Sequence, residues 1–470
     1  MNIVKRIILN SGYVITGRVL NIFLRLIPVI LMVRYLGSEL YGIYSFVLAF
    51  VGIFAVFVDL GIDKILIREV SKNKEKMEEY VGSILILKIL MSFMVMFIII
   101  FISLMMNLTE TKFVGVAIVS LFLLFQSMRA PLSTYFRVNL KMQYSVLATL
   151  TGSAVFIILI LWFIQIKAPI YYFFVAYILS YFTSTLCIYL FSRKFHRINF
   201  VIDTEIWKHF LKISLPLGIV LLFITLNDRI GILILNWLKG DKAVGYFSAP
   251  LAIMDKLTII PFASMMSLFP VFSKLYEDKE AAWKRGFEIS FKYMFIISVF
   301  LAALSTRYSD EIVLLLFGSD FAPSVKVFPI LMWSIVFIFI NFVLIDVITS
   351  AGRQKILIPI FALTFVVTLI LNLIFVPKYS FVGTAISFLI SKSIISIMCM
   401  YYLFSKFSLC PKVSVLVRIV ASSALMLIIL NIVRIPFWLA VPVALAVYLF
   451  LLFSLKILDT YDIDLLKKVY

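Results

Sequence analysis

Charged residues, histidine and cysteine are all scarce in this chain, and each scarcity excludes a class of protein. Asp, Glu, Lys and Arg make up only 14% of the 470 residues, whereas hydrophobic residues make up 63%, which lies far outside the composition of soluble domains. Two histidines and three cysteines without metal-ligand or redox spacing leave little material for a metal centre or a Ser-His-Asp triad. We therefore expect no cofactor and no enzymatic activity.

The formal net charge of +19 does not indicate nucleic-acid binding, because the Lys and Arg residues are spread over short segments between apolar runs. This distribution is typical of the positive-inside bias of membrane proteins. When the amino terminus is placed in the cytoplasm, most of the 43 Lys and Arg residues fall in cytoplasmic segments. We therefore predict that both termini are cytoplasmic and that the number of spans is even.

The apolar runs predict an all-α, multi-pass protein of the cell membrane with about 14 transmembrane helices, since a span needs about 20 mostly apolar residues. Three longer polar segments, 60–79, 192–208 and 271–289, are predicted to be cytoplasmic interfacial helices and connectors, and Asp203 or Thr204 is expected to cap the helix that enters span seven. The predicted spans are 11–32, 41–59, 80–106, 113–136, 143–165, 169–191, 209–236, 243–270, 290–306, 325–348, 356–376, 380–404, 412–433 and 436–457.

Two passages of the chain resemble each other in corresponding places. LGSELYGIYS at 36–45 follows span one and LKGDKAVGYFS at 238–248 follows span seven, while YLFSRKF at 189–195 ends span six and YLFSKF at 402–407 ends span twelve. Transporters are often built from two such related bundles. We predict a first six-helix lobe at residues 1–200, a second at 201–407, and an appended helix pair with a cytoplasmic tail at 408–470.

The chain resembles the polysaccharide biosynthesis, Wzx-like, flippase branch of the multidrug/oligosaccharidyl-lipid/polysaccharide exporter superfamily. The resemblance extends over nearly the whole chain, and its most specific block is RYLGSELYGIY at 34–44; shorter blocks are DLGI at 59–62, SLPLG at 214–218, NDR at 227–229 and AGRQK at 351–355. It implies export of a polyprenyl-linked oligosaccharide, carried on a phosphate or diphosphate, by alternating access of two lobes, with membrane lipids and a possible coupling ion as further partners.

Arg18, Asn21 and Arg25 form a polar stripe in span one. Their spacing of three and four residues places all three on one face of a helix. Each arginine costs roughly 2.5 to 3.5 kcal/mol on an insertion scale, so the stripe is expected to face a hydrated cavity or a partner instead of lipid. Guanidinium groups suit phosphate oxygens because they donate a planar, bidentate fork. We predict that this stripe binds the phosphates of the substrate.

Further candidates for the cavity lie in other spans. Arg229 lies in span seven, the counterpart of span one in the repeat, and Lys88 adds positive charge in span three. The carboxylates of Asp228 and Asp255 are also candidates. The competing interpretation is that these acids only neutralise the arginines of span one, or that Asp228 neutralises its neighbour Arg229.

Two other functions compete with the flippase. A cation-coupled multidrug antiporter of the same superfamily would require an intramembrane carboxylate to carry the ion, and span one has none. A membrane-embedded glycosyltransferase or polymerase would require acidic catalytic residues in a sizeable loop, whereas the longest connections here are about 20 residues on the span boundaries above. The sequence therefore favours the flippase.

Overall fold

The computed structural model describes residues 3–195, 199–278, 280–433 and 435–457, and no strand occurs among them. The predicted tail residues 458–470 lie outside this range. The all-α membrane architecture is confirmed. The helices are α1 (Ile3–Asp59), α2 (Ile62–Lys72), α3 (Met77–Met105), α4 (Glu110–Val138), α5 (Met142–Gln165), α6 (Ile170–Arg193), α7 (Thr204–Leu257), α8 (Ile259–Asp278), α9 (Glu280–Arg307), α10 (Ser309–Phe317), α11 (Phe328–Ser350), α12 (Leu357–Phe407), α13 (Val413–Val433) and α14 (Phe437–Ser454).

Eleven helical stretches among the described residues are long and apolar enough to cross a membrane. Two of them contain α7 and α12, and a third contains α1 from Gly12 onward. Helices α1, α7 and α12 have 57, 54 and 51 residues. A straight helix of such length would measure roughly 75 to 85 Å, well over twice the hydrocarbon thickness of about 30 Å. Each of these helices is long enough for two spans, and each contains a backbone break. The count of fourteen spans and the cytoplasmic termini stay predictions.

The breaks in α1 and α7 occur at equivalent positions of the predicted repeat. Gly37 has φ 71° and ψ 179°, and Gly240 has φ 77° and ψ −175°. Glycine suits both positions because positive φ is unfavourable for residues with a Cβ atom. The third break, in α12, lies at Ser380 with φ 51°. The same backbone geometry at Gly37 and Gly240 supports the repeat that the sequence indicates.

The chain divides into two compact units, Met1–Ala252 with Leu369–Phe381, and Ile253–Thr368 with Val382–Tyr470. In the first unit α5 packs on α1 and α6, and α4 packs on α3 and α6. In the second unit α9 packs on α11 and α13, and α13 packs on α14. The predicted lobe boundaries after residues 200 and 407 stay a prediction.

Helix α2 occupies part of the first predicted cytoplasmic segment and has one apolar face. Ile62, Ile65, Leu66 and Val70 are buried there against α3 and the start of α7. The predicted cap of α7 is confirmed for Asp203, whose Oδ1 accepts hydrogen bonds from the backbone amides of residues 205 and 206 at 2.8 and 3.1 Å. These contacts anchor the segment that leads into α7.

Candidate functional site

The side chains that contact Arg25 of α1 inside the first unit are polar or aromatic, and none of them carries a charge. Its Nε donates to the hydroxyl of Ser153 on α5 at 3.1 Å, and its Nη2 donates to the hydroxyl of Ser180 on α6 at 2.8 Å. The guanidinium carbon lies 5.2 Å from the ring centre of Tyr181 and 5.5 Å from that of Phe156, within the range of cation–π attraction. Three helices therefore hold this cation with neutral groups.

Asn21 belongs to the same cluster as Arg25, one helical turn away. Its side-chain oxygen accepts a short hydrogen bond from the hydroxyl of Ser153, which also accepts from Arg25. Arg18 is exposed, whereas Asn21 and Arg25 are half-buried. Asn21 and Arg25 are therefore linked through Ser153, and Arg18 lies at the exposed end of the predicted stripe.

The competing interpretation, that Arg25 neutralises a buried acid, finds no partner inside the first unit. No described carboxylate of that unit lies within 4.0 Å of the Arg25 guanidinium. Asp228, one of the two acids considered, is half-buried on α7 in the same unit. Asp255 lies in the second unit. Arg25 thus carries its positive charge among hydroxyls and aromatic rings.

Arg229 is a second half-buried arginine of the first unit. Among the described residues, no hydrogen bond or ion pair involves its guanidinium, although Asp228 precedes it in the chain. The neutralisation of Arg229 by Asp228 therefore has no direct contact to support it. Substrate binding by Arg229, Asp228 and Asp255 stays a prediction.

Lys88 is 1% exposed and already engaged by two carboxylates. Its Nζ lies 2.6 Å from Oδ1 of Asp63 and 3.1 Å from Oδ1 of Asp59. The acids flank the break between α1 and α2, where Leu60 and Gly61 both have positive φ. This arrangement ties the end of α1 and the start of α2 to α3, so a role of Lys88 in substrate binding would have to compete with these ion pairs.

A second polar cluster links the start of α4 to the break in α7. Lys112 is 8% exposed, and its Nζ lies 2.8 Å from Oδ1 of Asp241 and 3.1 Å from the side-chain oxygen of Asn236. Asn236 donates in turn to Asp241 at 2.7 Å. The orientation predicted from the sequence places this cluster at the external ends of the spans. Nearby, Gly42 and Gly245 approach the opposite chain segment too closely to carry a side chain.

Sequence reasoning missed the partners of the charged residues, namely Ser153 and Ser180 of the Arg25 cluster and the acids that bind Lys88 and Lys112. Serines are common in membrane helices, because small residues let helices approach closely. The positions of Ser153 and Ser180 in the sequence therefore do not indicate that both bind Arg25. The resemblance between residues 36–45 and 238–248 was a usable sequence signal for the contact between these two segments.

This arrangement of long broken helices defines a multi-pass membrane protein with a transporter fold. A lipid II flippase, MurJ, in an inward closed conformation aligns with a TM-score of 0.76 at 17% identity, covering 94% of this chain and 98% of the flippase. An inward-facing multidrug resistance MATE family transporter aligns with a TM-score of 0.68 at 16% identity, covering 84% of this chain and 94% of the transporter. At these identities the similarity concerns the fold.

The chain belongs to the polysaccharide biosynthesis protein family, whose sequence profile matches residues 7–276. The MatE profile also matches residues 216–374. The capsular polysaccharide biosynthesis protein CapF of Staphylococcus aureus is 23% identical over 417 residues, which cover 84% of this chain and 99% of CapF. A putative O-antigen transporter of Shigella flexneri is 29% identical over 155 residues, covering 33% and 37% of the two chains. The family resemblance noted in the sequence is confirmed.

Proposed function

We propose that the protein is a flippase that moves a polyprenyl-linked oligosaccharide across the cytoplasmic membrane by alternating access. In this proposal the phosphate-bearing head group passes through the protein while the polyprenyl tail stays in the bilayer. The chain acts as a transporter and catalyses no covalent reaction. The observation that carries the proposal is the uncompensated positive charge of Arg25 inside a helical bundle.

The environment of Arg25 suits the reversible binding of an anion. A permanently bound carboxylate would occupy the two parallel N–H donors of the guanidinium. Serine hydroxyls and aromatic rings are displaced from these donors by an incoming anion at a lower cost in free energy. Two hydrogen bonds and two aromatic rings hold the group in place without neutralising it. A phosphate entering the site would supply the missing negative charge. Arg18 and Arg229 are proposed as further phosphate ligands.

The relatives support the class of substrate. Their names concern capsular polysaccharide, O-antigen and lipid II. A glycan joined to a lipid carrier through phosphate is common to these chemistries, and a cationic site inside a membrane bundle matches the phosphate. We therefore propose a polyprenyl phosphate or diphosphate glycan as the substrate and leave the sugar open.

The test is transport of a fluorescent polyprenyl-diphosphate disaccharide in proteoliposomes that contain the full chain. We expect Arg25→Ala to lower the transport rate at least tenfold without changing protein abundance or melting temperature. Arg25→Lys should recover only part of the rate, because an ammonium keeps the charge but loses the fork. Arg193→Ala is the matched control, since Arg193 is exposed near the end of α6. Wild-type transport by Arg25→Ala at wild-type abundance would refute the proposal.

A cation-coupled multidrug antiporter is the second candidate, and the match to the MatE profile over residues 216–374 favours it specifically. The acids beside Lys88 would then be candidates for binding a coupling ion. The same proteoliposomes separate the two functions. Efflux of cationic dyes driven by a proton or sodium gradient, without movement of the lipid-linked probe, would favour the antiporter.

A further inference from the structure

A second arginine, Arg129 of α4, approaches the same face of α5 that holds Arg25. The Nη2 of Arg129 donates a hydrogen bond to the hydroxyl of Thr149 at 3.0 Å, and the Nε of Arg25 donates to the hydroxyl of Ser153 at 3.1 Å. Thr149 and Ser153 are four residues apart, so they lie on one face of α5, separated by about 6 Å along its axis. Two guanidinium groups from different helices are therefore held on neighbouring turns of α5.

The two arginines lie inside a bundle of four helices. Helix α1 packs on α4 and α5, and α6 packs on the same two helices. Arg25 and Arg129 are half-buried there, and Arg129 is close enough to Arg25 and Tyr181 to interact electrostatically with both. Within the part of the chain that the structure describes, the Arg129 guanidinium bonds to Thr149 and makes no ion pair. The bundle thus contains two neighbouring cations that neutral groups hold.

A pair of cations at this position is costly unless a ligand uses it. Ionisable side chains inside a membrane are expensive and are commonly found on substrate pathways, and two like charges side by side also repel each other. Apolar side chains of similar volume would fill the same space at lower cost. An anion that contacts both guanidinium groups replaces the repulsion by two attractions, and it binds best when it brings one negative charge for each.

The number of phosphates in a lipid-linked glycan decides how well it fits this pair. A single phosphate between a polyprenyl chain and a sugar keeps one ionised oxygen, whereas a diphosphate keeps one on each phosphorus atom. The two phosphates of a diphosphate are adjacent, as are the two turns of α5 that hold Arg25 and Arg129. A diphosphate can therefore offer one anionic group to each arginine at the same time.

We propose that Arg129 makes the protein selective for a diphosphate linker: Arg25 binds one phosphate of the lipid-linked glycan, and Arg129 binds the other. Thr149 is a positioning residue, because its hydroxyl holds the Arg129 guanidinium beside α5. This inference rests on the proposed function and adds a specificity to it. A substrate with a single phosphate engages Arg25 and leaves Arg129 without its anion.

The test is isothermal titration calorimetry of the full chain in detergent with two probes. Both probes carry the same short prenyl chain and the same sugar, joined by a diphosphate in one and by a single phosphate in the other. We expect the wild type to bind the diphosphate probe at least about tenfold more tightly. Arg129→Gln should remove this preference and leave the affinity for the single-phosphate probe unchanged, whereas Arg25→Ala should weaken the binding of both probes.

Three further variants separate ligand binding from a structural role. Arg129→Lys should keep part of the preference, because it keeps the charge but loses the planar fork. Thr149→Val preserves the shape of the side chain and removes the hydroxyl, so it should lower the preference without changing the melting temperature. Thr151→Val is the matched control: Thr151 is exposed on the same helix and its hydroxyl bonds to the backbone oxygen of Ala148. It should keep the full preference.

The remaining outcomes overturn the proposal. An unchanged preference in Arg129→Gln, with binding still lost in Arg25→Ala, would remove Arg129 from the site and leave the proposed function intact. Equal weakening of both probes by Arg129→Gln would assign a general electrostatic or structural role to Arg129. Equal affinity of the wild type for the two probes would show that the number of phosphates is not recognised. Binding of neither probe by the wild type would refute the proposed function as well.

Discussion

Gly42 and Gly245 each lie against a backbone carbonyl of the segment that contains the other. A Cβ atom on Gly42 would lie 1.8 Å from the carbonyl oxygen of Asp241, and a Cβ atom on Gly245 would lie 1.8 Å from that of Ser38. Gly42 corresponds to Gly245 in the repeat and Ser38 corresponds to Asp241, so the contact is reciprocal. Backbone atoms form both contacts, and the chain must therefore shift to admit even one methyl group.

The reciprocal contact predicts that Gly42→Ala and Gly245→Ala each weaken it by about 1–3 kcal/mol, the usual cost of overpacking. A cysteine at buried Val244 should then react at least tenfold faster with a membrane-impermeant maleimide added from outside. Gly52→Ala on the same helix is the control, since no atom lies within 4 Å of its Cβ position. Unchanged labelling of both glycine variants would show that this contact does not limit access to Val244.

The ion pair of Lys112 with Asp241 predicts a strong coupling between the two residues. Their side chains are only 10% and 19% exposed, so removing one partner leaves a buried charge and is expected to cost about 3–5 kcal/mol. Lys112→Met and Asp241→Asn should each lower the melting temperature in detergent. The double variant should be less destabilised than the sum of the two single variants. Additive effects would mean that the pair makes no specific contribution.

The buried ammonium of Lys88 predicts a stabilising role at the break between α1 and α2. Lys88→Met leaves Asp59 and Asp63 without their cation, and the yield of folded protein by size-exclusion chromatography should fall several-fold. Adding Asp63→Asn to that variant should restore part of the yield, because it removes one uncompensated charge. Lys64→Met, a change at an exposed lysine of α2, should leave the yield unchanged. A normal yield for Lys88→Met would show that the ion pairs are dispensable.

The predicted orientation is tested by labelling single cysteines in a variant without the three native ones. Ser71→Cys, on the exposed side of α2, should react with an impermeant maleimide only after the membrane is permeabilised. Lys167→Cys, exposed between α5 and α6, should react in intact cells. This expectation follows from the excess of Lys and Arg in alternate segments. The opposite labelling pattern would show that the topology is the inverse of the predicted one.

The long apolar runs were sufficient to predict an all-α, multi-pass membrane protein from the sequence. In a bilayer every backbone polar group must be satisfied within the protein, so long apolar runs form helices whatever their partners. The sequence places Gly37 and Gly240 in the two similar passages, between predicted spans, but the backbone breaks at these glycines come from the structure. The cap at Asp203 was predicted for a local reason, because a side chain only has to reach its own helix.

The sequence by itself determined that the chain spans the membrane, that Arg18, Asn21 and Arg25 share one helix face, and that the two halves resemble each other. Only the tertiary structure decided that Ser153 and Ser180 hold Arg25 and that Asp241 meets both Lys112 and Gly42. The reason is physical. A helix periodicity specifies which residues share a face, whereas lipid tails and apolar helix faces are alike in polarity, so close packing and interhelical hydrogen bonds select the neighbour.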